Sequence, residues 1–367
     1  MSKPSGERAR RGAAVAFLVV ALLAAACSDD DGDTGGDRAS AGTTTTTTKD
    51  RSAEAAYADE GPYAVALTTV QLTDRKVEVL YPAADANGTP ADLSGLEGDR
   101  QVFQDSPASD EGPFPVLLYS HGFGGSPLVS TNLQAGIASW GFVVAAPDHI
   151  ERDTAALGSN PHSDPARDVQ TLQEALAGVV AAGAADGPLS GAVDGERVVS
   201  AGHSAGGGAA LNALRLPEVV GTVTWAGVAP TDEPLPKEPV MVMGAEDDVA
   251  VSGDEQRAVY EKLPGPKRLV QFQGGAGHAT FLDLCPGARR DVIESGQPHP
   301  PASGIVALAF DGCDADDLDP VKAWRVIQHF TVAHLRDALG IDEEPVGLGD
   351  GVLDQFPDVP VTYEHSP

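Results

Sequence analysis

The stretch Arg197-Val198-Val199-Ser200-Ala201-Gly202-His203-Ser204-Ala205-Gly206-Gly207-Gly208-Ala209-Ala210-Leu211 carries the strongest structural signal in this 367-residue chain. Its first five residues read as a buried strand, and its last five, small and apolar, continue as a helix. Between them Gly202-His203-Ser204-Ala205-Gly206 has the G-x-S-x-G form of a nucleophile elbow, a tight strand-to-helix turn with a serine at its tip. Glycines flank the serine because a side chain there would collide with the neighbouring strand and helix. The pattern by itself is weak in a glycine-rich chain. The strand before it and the helix after it are what give it weight.

Working outward, strand-like and helix-like stretches alternate, the pattern of a mostly parallel central sheet flanked by helices on both faces. An antiparallel hairpin over 64–72 and 75–81 leads in, followed by strands at 115–120, 142–147, 197–201, 221–226, 239–243 and 268–272. Helices are expected at about 128–140, 166–182, 207–214 and 255–263. A last amphipathic helix at 321–339 has Pro320 at its start, where the missing N–H costs little.

Three further motifs sit where a serine nucleophile needs them. Strand 115–120 runs into His121-Gly122-Phe123-Gly124-Gly125, a turn whose backbone can approach a ligand closely. In folds built around the elbow this turn supplies one N–H of an oxyanion hole and the residue after the serine supplies the other, here Phe123 and Ala205. Gly274-Gly275-Ala276-Gly277-His278 follows a strand near the domain's end, which makes His278 the candidate general base. His121, His203, His329 and His334 read as structural. Between Ser204 and His278, strand 239–243 ends in Glu246-Asp247-Asp248, where a carboxylate could orient the imidazole. Asp247 is favoured because Asp-x-Val-x-Val begins there, with Asp248 the close alternative and Glu246 behind it.

The entry Gly61-Pro62-Tyr63-Ala64-Val65, the run from Val116 to Gly125, the strand end Val144-Ala145-Ala146-Pro147-Asp148-His149 and the segment Gly275 to Phe281 together resemble the α/β-hydrolase group that contains predicted dienelactone hydrolases and platelet-activating-factor acetylhydrolase-like esterases. Polyester-degrading cutinase-like hydrolases resemble the pattern more distantly. The resemblance implies an α/β-hydrolase fold and cofactor-free, metal-free hydrolysis of short-acyl or otherwise accessible small-molecule esters by Ser204, Asp247 and His278. The serine stands where true dienelactone hydrolases carry cysteine. A polyester or lipid hydrolase, an acyl transferase and a non-catalytic surface-binding lipoprotein are the alternatives. The acidic run Asp311, Asp314, Asp316, Asp317 and Asp319 lacks ordered calcium-loop spacing and reads as a solvated loop.

At the N-terminus, Lys3, Arg8, Arg10 and Arg11 precede an uncharged stretch to Ala26 that is too short to span a bilayer, the form of an export signal over 1–26. Leu23-Ala24-Ala25-Ala26-Cys27 resembles a bacterial lipoprotein processing site, with Ala24 where a branched residue is usual. It implies lipidation of Cys27 and an exported chain anchored to the outer face of the cell membrane, or secreted. Residues 27–60, with Thr43 to Thr48 unbroken, cannot bury enough surface to offset their ordering entropy and read as a tether. The catalytic domain is then expected over 61–345, with a tail over 346–367. Setting Cys27 aside leaves Cys285 and Cys313, expected to be bridged in an oxidising envelope. The formal net charge of -30 excludes a general affinity for nucleic acid or anionic lipid.

Overall fold

The apolar runs of the central sheet become strands buried on both faces. In β5 (Phe114–Ser120) all seven residues are buried, and Val116 and Leu118 pack on one side of the sheet while Leu117 and Tyr119 pack on the other. That two-residue alternation, with apolar side chains on both sides, is what a parallel sheet between two helical layers requires. The structure is a computed structural model that describes residues 50–93, 100–153, 164–227, 235–297 and 304–367.

The strands are β1 (Ala64–Gln71), β2 (Lys76–Ala83), β3 (Thr89–Pro90), β4 (Val102–Gln104), β5, β6 (Val143–Pro147), β7 (Val193–His203), β8 (Val219–Trp225), β9 (Val240–Ala245), β10 (Lys267–Phe272) and β11 (Val361–Ser366). They form one sheet in the order β11-β10-β9-β8-β7-β5-β6-β2-β1-β4-β3. From β6 to β10 the pairing is parallel, whereas β1 and β2 form the antiparallel hairpin that joins β6. The helices are α1 (Thr131–Ala138), α2 (Pro165–Gly183), α3 (Ala205–Ala213), α4 (Gly253–Lys262), α5 (Leu284–Ser295), α6 (Ile305–Leu308) and α7 (Pro320–Ala338). Helices α1 and α7 pack against one face through Leu133, Ile137, Trp324, Ile327 and Phe330, and α2 and α3 cover the other through Leu172, Val179 and Leu211. The α2 helix starts as its sequence dictates. Asp164 caps the N–H groups of Ala166 and Arg167, and proline follows it.

Two expected boundaries are corrected. The tail over 346–367 is part of the fold, because β11 pairs antiparallel along the whole of β10 and Tyr363 packs 4.7 Å from the ring of Phe330. Its residues Val-Thr-Tyr-Glu-His-Ser give no apolar run because an edge strand is half open to water. At the other end the tether stops short of residue 60. Tyr57 is buried, and its hydroxyl donates to Asp342 Oδ2 at 2.7 Å. The compact unit runs from Lys49 to Pro367. The export signal, Cys27 and tether residues 27–49 lie outside the described residues.

Candidate active site

Strands β5, β7, β9 and β10 are parallel, so their carboxyl ends lie on one side of the sheet, and the loops that leave them can share a site. Ser204 follows β7 directly. Its backbone, at φ 56 and ψ -124, lies in a region that side chains other than glycine's rarely occupy, and holding it there costs about 1–3 kcal/mol. The flanking glycines allow the turn: a Cβ on Gly202 would overlap the backbone of Gly206, and one on Gly206 would overlap the carbonyl of Ser120. The Ser204 N–H donates to Trp225 O at 2.9 Å and ties the elbow to the end of β8.

His278 opens a 3-10 turn, His278–Phe281, after β10, and is buried. Its Nδ1 lies 2.9 Å from Asp248 Oδ2. Asp248 is itself buried, and its Oδ1 accepts the N–H groups of Ala250 at 2.7 Å and Val251 at 2.9 Å. This corrects the choice of Asp247. That side chain is exposed, and its carboxylate accepts only from Gly275 N–H, at 3.3 Å. The turn after β9 points the first of the two aspartates to solvent and the second inward. The Asp-x-Val-x-Val run carries no information about which one goes in.

Ser204, His278, Phe123 and Gly122 line one cleft of about 330 Å³. Gly124, Gly125 and His203 also line it, and the rest of its wall is apolar: Val129, Leu282, Leu284, Leu308 and Ala309. A Cβ on Gly122 would come within 3.0 Å of Ser204 Cβ, so only glycine lets this turn approach the serine so closely. Ala205 is the first residue of α3, and its N–H has no partner within the helix. The Phe123 N–H donates to no backbone carbonyl among the described residues, whereas Gly124 N–H goes to Arg152 O at 2.6 Å and Gly125 N–H to Gly122 O at 3.2 Å.

The support beneath this turn was not foreseen. Arg152 is fully buried, donates through NH2 to Ser120 Oγ at 2.8 Å and to His121 O at 3.0 Å, and pairs through NH1 with Asp168 in the first turn of α2. His121 Nε2 accepts the N–H of His149 at 3.0 Å, so its proton sits on Nδ1 and is donated to Gly122 O at 2.8 Å. His149 Nε2 lies 2.9 Å from Ser120 Oγ, and its Nδ1 faces Asp168 Oδ1 at 3.4 Å. Burial, with the Arg152 charge beside it, lowers His149 to about 3. Burial pushes the Asp168 carboxyl up, but His149 and the Arg152 guanidinium outweigh it and bring it down to about 2. The sequence signal was present in His149 and Arg152 just past a strand end, yet their partner lies in another element and no local pattern connects them.

Two further groups hold the base. The His203 ring lies 4.6 Å from the His278 ring, tilted by 49°, and donates through Nε2 to His278 O at 3.0 Å, and burial drives its pKa well below the ordinary value. Asp311, read from sequence as part of a solvated loop, accepts the N–H of His278 at 2.6 Å and of Val249 at 3.2 Å, so one carboxylate braces both the histidine loop and the acid loop. Cys285 and Cys313 are bridged, which fastens the start of α5 to the segment carrying Asp311. Asp283 ties the same wall to α1: its N–H donates to Val129 O at 2.9 Å and its Oδ2 accepts from Asn132 N–H at 3.0 Å. Burial raises the Asp283 carboxyl well above the usual carboxylate range, against the pull of the Asn132 and Thr131 N–H groups. Among the described residues no grouping of His, Cys, Asp and Glu could hold a metal ion.

Residues 106–282, the segment from before β5 to just past His278, match the family model described as PET hydrolase-like. The chain has the α/β-hydrolase fold and is a carboxylic ester hydrolase. The sequence pattern had set polyester-degrading hydrolases at a greater distance than this match does. The esterase is also similar in fold to the solved structure of a ferulic acid esterase from Streptomyces cinnamoneus, with a TM-score of 0.60 at 22% identity, over 82% of this chain and 96% of that one. None of the curated proteins compared with the esterase matches it.

Proposed function

We propose that the esterase cleaves small carboxylic esters through an acyl-enzyme on Ser204. The reading is carried by one observation: a buried Asp248 carboxylate lies 2.9 Å from Nδ1 of His278, which shares a cleft with Ser204 on its strained elbow. With Nδ1–H given to Asp248, His278 Nε2 is the free base. It takes the Ser204 proton, and Oγ attacks the ester carbonyl. The oxyanion is held by the N–H groups of Phe123 and Ala205, each worth on the order of 100- to 1000-fold in rate. His278 returns the proton to the departing alcohol, and water deacylates the enzyme by the same steps. Asp248 keeps the ring in the productive tautomer and stabilises the imidazolium.

The mostly apolar cleft selects acyl groups by shape, and its volume of about 330 Å³ suits a short chain or a single ring. The PET hydrolase-like match favours aromatic polyester chains as a second substrate reading, and the fold likeness to a ferulic acid esterase brings hydroxycinnamoyl esters into the comparison. Turnover of p-nitrophenyl acetate, methyl ferulate and polyester film separates the three. We place the enzyme outside the cell, anchored through lipidated Cys27. The Leu23-to-Cys27 processing pattern and the Cys285–Cys313 bridge, which suits an oxidising compartment, support this. A fluorophosphonate probe is expected to modify Ser204 and to leave a Ser204→Ala variant unlabelled. Folded wild-type protein that takes up no probe would return the chain to the class of binding lipoproteins.

A further inference from the structure

A second cavity, of about 630 Å³, lies between the residues preceding β1, the start of α1, α5 and the first turns of α7. Its character is set by Arg100. The side chain is 18% exposed, its NH2 donates to Gln328 Oε1 at 2.5 Å, and among the described residues the nearest carboxylate oxygen is Glu60 Oε1 at 3.8 Å, on a side chain 72% exposed. Gln328 cannot turn away, because its Nε2 donates to Tyr57 O at 2.8 Å and Asp59 O at 2.6 Å. Gly136 on α1 leaves room for this contact, since a Cβ there would overlap the Gln328 amide and sit 3.2 Å from the Arg100 guanidinium carbon. The guanidinium is therefore aimed and held from behind.

Its charge is poorly matched. Arg325 and Asp59, on the same cavity wall, neutralise each other at 3.0 Å, and Glu60 is too far away and too well solvated to do the same for Arg100. Burial lowers the Arg100 pKa, with Glu60 and Asp59 only partly opposing it. A half-desolvated cation without a close counter-charge is costly, and an anion entering the cavity removes that cost. A single carboxylate matches the one guanidinium of Arg100, Arg290 also lines the cavity, and a bare inorganic ion would leave most of the volume empty. Trp324, Pro286 and Val321 supply an apolar surface beside it.

We propose that this cavity is a binding subsite for an organic carboxylate, its carboxyl group paired with Arg100 and its apolar body packed on Trp324, Pro286 and Val321. Ester hydrolysis releases such a molecule, and the two cavities are lined by neighbouring stretches of chain: Val129 and Leu284 line the catalytic cleft, while Asn132 and Pro286, a few residues further on, line this one. The carboxylate is either one end of the enzyme's own substrate or product, or a separate ligand. The inference stands without Ser204 chemistry.

The test is calorimetric titration of the full chain with benzoate and with benzamide, its uncharged analogue. Benzoate is expected to bind about tenfold tighter or more and to weaken with added salt, and the Arg100→Gln variant is expected to lose that preference. The wild-type comparison needs no variant to fold, and the same preference is expected in Ser204→Ala protein whether or not that serine is the nucleophile. Benzoate and benzamide binding alike, or benzoate binding unchanged in folded Arg100→Gln, overturns the proposal. Kinetics separate the two sources. A KM raised about tenfold by Arg100→Gln for monomethyl terephthalate but not for methyl benzoate assigns the carboxylate to the substrate. Unchanged KM values with benzoate binding lost assign it to a separate ligand.

Discussion

Replacing Asp248 by asparagine, beside the same change at Asp247, is the sharpest test of which neighbouring carboxylate serves His278. Asp248 makes three contacts: Oδ2 with His278 Nδ1 at 2.9 Å, and Oδ1 with the N–H groups of Ala250 and Val251 at 2.7 and 2.9 Å. In Asp248→Asn the amide oxygen keeps the two backbone bonds and the NH2 group turns to His278. A donor there forces Nδ1 to accept, so the proton moves to Nε2 and the base is lost. The expected fall in kcat is on the order of 10,000-fold, about 5.4 kcal/mol of barrier, with KM nearly unchanged because Asp248 does not line the cleft. Stability should drop by only about 1–2 kcal/mol, the worth of one charge-assisted bond. Asp247→Asn alters an exposed side chain whose one bond is 3.3 Å long, and is expected to stay within about 0.5 kcal/mol, roughly twofold, in both rate and stability. Steady-state hydrolysis of p-nitrophenyl acetate with urea unfolding of the same preparations decides between them. A folded Asp248→Asn enzyme with near-normal kcat, or an inactive Asp247→Asn enzyme, refutes this geometry of the site.

Three other outcomes follow from the site's supports. Arg152→Met leaves Asp168 buried without its cation and frees the carbonyl of His121, so it should cost about 3–5 kcal/mol in urea unfolding; a loss below about 1 kcal/mol would mean that the pair does not hold the turn. Replacing Cys285 and Cys313 with serine opens a crosslink with a sequence separation of 28, worth about 3–4 kcal/mol of unfolded-state entropy, and unfolding midpoints that match with and without the bridge would contradict that figure. Burial lowers His149 and His334 to about 3, His329 to about 4 and His203 well below its ordinary value. The unfolded chain takes up these protons near pH 6.5 and the folded chain does not. Their contribution is therefore complete above that pH and is lost as pH falls toward 4, by up to about 1.4 kcal/mol per pH unit for each histidine. Equal urea midpoints at pH 7.5 and pH 5 would exclude this linkage.

What the sequence disclosed was whatever short-range chemistry enforces. The elbow could be read because Gly202 answers to backbone only four residues away, at Gly206, and β5 to β10 because strands buried on both faces are largely apolar. The histidine loop followed from chain order. Local patterning did not reach the choice between Asp247 and Asp248, because the direction a side chain takes out of a turn depends on φ and ψ values that both residues tolerate. It also missed Asp311, whose partners Val249 and His278 are 62 and 33 residues away, and β11, whose pairing with β10 buries too little to need an apolar run.

These differences divide the site into two parts with separate origins. The reacting groups stand at the carboxyl ends of β5, β7, β9 and β10, where the parallel sheet fixes their spacing, so any chain that forms the sheet brings them close together. Four of the walls that decide what fits, Leu282, Leu284, Leu308 and Ala309, come from the stretch between His278 and α7, which is no part of the sheet and is held by the Cys285–Cys313 bridge and by Asp283. Substitutions there can reshape the acyl site without disturbing the oxyanion turn, whose support comes from Arg152 and Asp168 on the far side of β5. Asp311 is the exception. It lies within the bridged segment yet holds the backbone of both catalytic loops, so changes to the wall that shift residue 311 act on kcat as well as on substrate choice.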